Sequence, residues 1–187
     1  IHQVCRQYKI PLYLDGARMG YGLASRGSGM TLADLAASCD VFYMGGTKVG
    51  ALFGEAVVFP RHNAPGRFMT AVKQRGALLA KGRLLGLQFQ ALLEDGLYFD
   101  LARHANQLAL RLRDGIAALG YPFPVDSPSN QQFPVLPNAT VQKLQELGYE
   151  FEIDHVVDAD HTCIRLVTSW ATPESAMESF LRDLAAC

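Results

Sequence analysis

Three short apolar runs, PLYL (11–14), VFYM (41–44) and the AVVF of EAVVF (55–59), constrain the first third of this chain more than any other feature. Strands without polar alternation are buried on both faces, and helical stretches between them predict an α/β layer built on a mainly parallel sheet. Residues 1–9 read as a helix closed by Pro11, because the residue before a proline avoids the helical region. Thr31-Leu-Ala-Asp34 predicts a helix start, with Thr31 as N-cap and an acidic residue three positions on. Pro60 stops the third strand, and the glycine-flanked loop GGTKVG follows the second.

From 64 to 119 the apolar positions recur at helical spacing, and Gly120 supplies a stop. The stretch YPFPVDSPSN (121–130), with three prolines and two serines, reads as a boundary. That divides the chain into 1–120 and a small α+β domain at 121–187. The second part reads as QQFPVLP, a helix at 138–148, strands EFEIDHVV and HTCIRLVT with DAD (158–160) as their hairpin loop, and a last helix at 173–186. Ile1 stands where an initiator Met would, and SFLRDLAAC reads as a helix still running, so a piece of a longer chain is expected.

Seventeen basic residues balance eighteen acidic ones, and the basic residues are scattered, so nucleic acid and membrane surfaces are not expected partners. Cys5, Cys39, Cys163 and Cys187 are too dispersed for a disulfide framework and read as reduced thiols. No uncharged apolar run approaches the roughly 20 residues that span a bilayer. With no signal peptide at its start, the chain is expected in the cytoplasm.

The chemistry concentrates in two loops. Lys48 is the only charged side chain between Val41 and Gly54, just beyond an apolar strand and among glycines. Surroundings that disfavour an ammonium ion make an amine nucleophile, and ligands of open α/β sheets bind beyond the carboxyl ends of strands. A solvated loop lysine is the bland alternative. Asp15 closes another strand, where a carboxylate can pair with a protonated pyridine nitrogen or merely stabilise a turn. Arg18 adds a fork donor suited to a carboxylate or phenolate oxygen, or is a surface arginine.

YLDGARMGYGLA…VFYMGGTKVGALFGEAVVF resembles the threonine aldolase and β-eliminating lyase family of pyridoxal 5'-phosphate enzymes. Its members carry an Asp-Gly-Ala-Arg strand end and, about thirty residues on, a Ser/Thr-Lys in a glycine-containing loop; here these are residues 15–18 and Thr47-Lys48. The resemblance implies the C-terminal part of the aspartate-aminotransferase fold, fold type I. It implies that Lys48 attaches the cofactor, Asp15 holds the pyridine nitrogen and Ala17 packs on the ring. Arg18 would reach the substrate carboxylate or the cofactor's 3′-oxygen, and Thr47 the phosphate. RGALLAKGR (75–83) offers Arg83 as a further phosphate contact, and CIRLVTSW (163–170) offers Arg165 as a clamp on the substrate carboxylate. An arginine inside an apolar strand needs an anion, whether a substrate or a fixed carboxylate. The family's glycine-rich phosphate loop and stacking aromatic, often histidine, lie in an N-terminal half that is not here, and no residue is assignable as the base for the β-hydroxyl.

The implied reaction is cleavage of a β-hydroxy-α-amino acid to glycine and an aldehyde, by a homo-oligomer, dimer or tetramer. Elimination from an amino acid with a leaving group at Cβ is the alternative on the same scaffold. A non-catalytic folding or oligomerisation module is the alternative from another class. DHVVDADH (154–161) holds two close histidines but no known ligand spacing, so a solvated strand-loop-strand, with no metal, is expected there.

Overall fold

The computed structural model describes residues 1–187. They form two compact units, the first of residues 1–23 with 28–99, the second of residues 24–27 with 100–187.

In the first unit, helix α1 (His2–Gln7) leads to strand β1 (Tyr13–Leu14), then α2 (Met19–Leu23), α3 (Leu32–Ser38), β2 (Val41–Gly45) and β3 (Glu55–Val58). Helices α4 (Phe68–Gln74) and α5 (Arg83–Leu93) follow, and the long α6 begins at Leu97 and ends at Ala118. Helix α3 starts as its sequence predicts. Asp34 N–H donates to Thr31 Oγ1 at 3.2 Å, and Thr31 N–H to Asp34 Oδ2 at 2.9 Å. The three strands lie in the order β1-β2-β3, with β1 parallel to β2.

Strand β3 departs from the parallel pairing of β1 and β2, running antiparallel to β2 at the edge of these three strands. The reason is chain length. A parallel return needs a crossover of a dozen or more residues, and only residues 46–54 separate the two strands. One sheet face buries Phe42 and Met44. The other carries Tyr13, Tyr43 and Val57, which the strand registers place together. Tyr13 and Val57 are each about half exposed, at 57% and 48%.

Two glycines bring β1 and β2 into contact at their ends. A Cβ added to Gly16 would lie 1.7 Å from the Tyr43 carbonyl oxygen, and one on Gly45 would lie 2.6 Å from the Ala17 carbonyl oxygen. In their place a hydrogen bond forms, from Gly45 N–H to Gly16 O at 3.0 Å. Backbone cannot retreat as a flexible side chain can. Gly16→Ala is therefore expected to cost about 3 kcal/mol or more in denaturant unfolding. Gly22→Ala in α2, with nothing within 4 Å of the new methyl, should be neutral or stabilising. Equal stability of the two variants would contradict this account of the contact.

The second unit has a small sheet centred on β7 (His161–Val167), flanked by β6 (Glu152–Val156) on one side and by β4 (Gln131–Gln132) and β5 (Val135–Pro137) on the other, all antiparallel. The 158–160 turn joins β6 to β7 as a hairpin. Helix α7 (Asn138–Glu146), helix α8 (Glu174–Ala185) and the later turns of α6 cover one sheet face. Leu112, Ile116, Leu144, Ile164, Phe180 and Leu184 form the centre of that core. The 121–130 stretch runs inside this unit, where Tyr121 and Phe123 pack against the same core. Gly120 adopts φ +92, the left-handed residue that ends a long helix.

Candidate active site

The first unit gathers Asp15, Ala17, Arg18, Thr47 and Lys48 at the carboxyl ends of β1 and β2. Asp15 lies two residues beyond Tyr13, so its side chain emerges on the open sheet face. There its carboxylate accepts the Tyr43 hydroxyl and, at 3.0 Å, the Ala17 N–H. The Tyr43 hydrogen bond, the backbone donor and the nearby Lys48 charge together hold the Asp15 carboxyl below the ordinary aspartate range. Donation to Asp15 conversely pushes the Tyr43 phenol up to about 12. Asp15 is thus a committed anion, and it is exposed.

Lys48 sits in a single 3-10 turn, Thr47–Val49, that the glycines around it permit; Gly50 closes the turn at φ 106. Val49 is fully buried and anchors the turn from below. Three side chains fix the loop backbone. Buried Tyr21 donates its hydroxyl to Lys48 O. Tyr98, also buried, donates to Gly45 O at 2.9 Å and accepts from Gly20 N–H at 3.2 Å. Glu55 accepts from Gly46 N–H at 2.7 Å and from the Thr47 hydroxyl at 3.1 Å. The backbone of Lys48 is therefore held firmly, while its side chain is exposed. That exposure departs from the apolar enclosure the sequence suggests: Val49 and Ala51 turn inward, Leu52 is 83% exposed, and the amine is left outside.

The remaining candidates are placed less directly. Thr47 spends its hydroxyl on Glu55. Ala17 and Arg18 are half-buried beside Asp15. Arg83 is exposed at the first residue of α5, whose Gln88 accepts from Leu52 N–H at 2.7 Å and so docks that helix on the loop after Lys48. Arg165 belongs to the second unit, in the middle of β7. It is paired with Glu152 at 2.5 Å, and its buried Nε has no hydrogen-bond partner. The fixed carboxylate that the sequence leaves open is thus present, although Glu152 itself is 74% exposed. An open cleft of about 660 Å³ runs along the unpaired side of β1, with Tyr13, Leu14 and Asp15 in its wall but not Lys48.

Sequence reading misses Tyr21, Tyr43, Glu55 and Tyr98. Only Tyr43 carries a usable signal: it occupies the outward position of β2 next to the strand end. Tyr98 lies more than fifty residues from the loop it holds.

The fold around these strand ends defines a class before the sequence defines a family. The fold is shared with serine palmitoyltransferase of Sphingomonas wittichii, which superposes with a TM-score of 0.65 at 17% identity, over 98% of this chain and 48% of that one. The sequence model of the family described as "Beta-eliminating lyase" matches residues 1–139, and the chain belongs to that family. Threonine aldolase of Leishmania major superposes with a TM-score of 0.93 at 38% identity, over 99% of this chain and 54% of that one. A low-specificity L-threonine aldolase of a Pseudomonas species is 30% identical over 194 residues, all of this chain and 53% of the relative. One from Pseudomonas aeruginosa is 29% identical, over 98% of this chain and 52% of the relative. The chain thus spans about half the length of the curated relatives it matches. No helix is long and apolar enough to cross a membrane.

Proposed function

We propose that this chain supplies the lysine-bearing half of a pyridoxal-phosphate lyase of the threonine aldolase type, cleaving a β-hydroxy-α-amino acid to glycine and an aldehyde. The observation that carries this reading is the pairing of a committed Asp15 anion with the Lys48 turn, locked together through the Gly45–Gly16 hydrogen bond. An anion beside the ring nitrogen keeps that nitrogen protonated, and the cofactor when bound supplies an electron sink for the broken Cα–Cβ bond. Lys48 anchors the cofactor, and Ala17 offers a small side chain that lets the ring lie close. Arg18 faces the same strand ends as a fork donor for an anionic oxygen. Thr47 and Arg83 are the phosphate contacts, Thr47 after exchange of its Glu55 partner.

Arg165 is the carboxylate clamp. Its partner Glu152 is exposed, and such a pair is worth no more than about 1 kcal/mol, so an incoming substrate carboxylate can replace it. Its partnerless Nε gives the fork a donor still to be satisfied. Arg165→Lys keeps the charge but loses the fork, so KM for the amino acid should rise roughly tenfold or more while unfolding changes by under about 1 kcal/mol. Parallel losses of stability and activity would make the Glu152 pair structural.

The family match favours one second reading, elimination at Cβ. Products decide between the two. Glycine with an aldehyde supports the aldolase reading; a keto acid with ammonia supports elimination. Failure of the parent protein to bind the cofactor would leave a non-catalytic module.

A further inference from the structure

We propose that Asp154, His155 and Cys163 form a binding site for a zinc-type divalent cation on the face of the small sheet that also carries Arg165. One donor atom from each of the three residues lies within 4.8 Å of the other two. In a tetrahedral zinc site, with Zn–N and Zn–O near 2.0 Å and Zn–S near 2.3 Å, neighbouring donors stand about 3.3–3.8 Å apart. The widest pair therefore needs to close by only about 1 Å, while the Asp154–His155 contact at 2.8 Å opens to admit the ion.

The strand pairing explains why they meet. His155 lies directly opposite Cys163, and the register slips between Ile153 and His155. A bulge sets two residues of one strand against one of the partner, so Asp154 and His155 both reach the Cys163 side. Cys163 lies on the central strand, paired on both flanks and fully buried, and its thiol donates to Phe133 O at 3.7 Å. Asp154 and His155 are exposed and free to rotate onto an ion. Their contact, Nδ1 to Oδ2 at 2.8 Å, already holds both heads together.

The donor set selects the cation. A thiolate sulfur disfavours magnesium and calcium, which take oxygen ligands, whereas carboxylate, imidazole and thiolate together suit zinc. Binding expels the thiol proton to solvent and leaves the sulfur as thiolate on the metal. Three protein ligands leave the fourth position to water. Arg165, two residues along the same strand face, is paired with Glu152, and a substrate carboxylate that displaces Glu152 supplies the same counter-charge, which limits the repulsion of the metal.

The test uses the chain freed of metal with a chelator and titrated with cobalt(II), whose thiolate complexes show a sulfur-to-metal charge-transfer band. One equivalent should produce the band, Cys163→Ser should remove it, and His155→Gln should weaken binding at least about tenfold. No band, or a band unchanged in Cys163→Ser, would overturn the site. If circular dichroism shows that the serine variant does not fold, His155→Gln decides, since that side chain is exposed. Wild-type affinity in a folded His155→Gln protein overturns the proposal.

Discussion

Borohydride reduction of the parent protein loaded with pyridoxal 5'-phosphate is expected to label Lys48, and Lys48→Ala is expected to abolish the label and cut turnover roughly 10³-fold or more. The expectation rests on how much structure is devoted to one backbone segment. Tyr21 holds Lys48 O, Tyr98 holds Gly45 O, and Glu55 holds Gly46 N–H. Fixing backbone costs about 1–2 kcal/mol per residue, and buried tyrosine hydroxyls must find partners. A turn held from three sides around an exposed amine fits a lysine presented for chemistry, whereas an ordinary solvated lysine needs no such support. Lys73 and Lys81 lie in and after α4, outside any such frame. A label on either of them would sink the assignment. So would retention of near-normal turnover by Lys48→Ala.

How much of this was legible beforehand depends on the range of the interactions involved. The element order was legible because short apolar runs, the Thr31–Asp34 box, Pro60 and Gly120 all act within a few residues of themselves. The two halves of the site were legible for the same reason: DGAR and GGTK each sit at a strand end. Antiparallel β3 was not read, although the short 46–54 connection already forbade a parallel return. The supports of the loop were hidden for a different reason. Tyr98 comes from a helix far along the chain, and its role depends on packing that no local period encodes. The same holds for Asp154, His155 and Cys163. Only one of the two neighbouring histidines, His155, belongs to this cluster, and Cys163 meets Asp154 and His155 across a strand pair, through a bulge that shifts the register. Arg165 lies between these cases: its need for an anion was legible, but the identity of Glu152 was not.

Asp15→Asn should leave cofactor attachment at Lys48 intact and lower kcat on the order of 10²- to 10³-fold, the usual cost of removing one preorganised electrostatic group. The amide keeps the size and can still accept the Ala17 N–H and the Tyr43 hydroxyl, so the turn should survive. What it loses is charge. Asp15 is held below the ordinary aspartate range chiefly by the Tyr43 hydrogen bond, so it stays ionised throughout the neutral range. The sign of the pH dependence follows. A depressed carboxyl contributes its interaction above the unfolded value and loses it as pH falls through the folded one. Tyr43→Phe removes the largest cause of the depression, so Asp15 should then protonate at a higher pH, and the acid limb of the kcat profile should move upward with it. Asp15→Asn should abolish that limb. A neutral amide cannot hold the ring nitrogen protonated, so no pH restores turnover in this variant. If Asp15→Asn turned over near normally, or if Tyr43→Phe left the acid limb in place, Asp15 would be a turn residue, and the anion at this strand end would have no part in the chemistry.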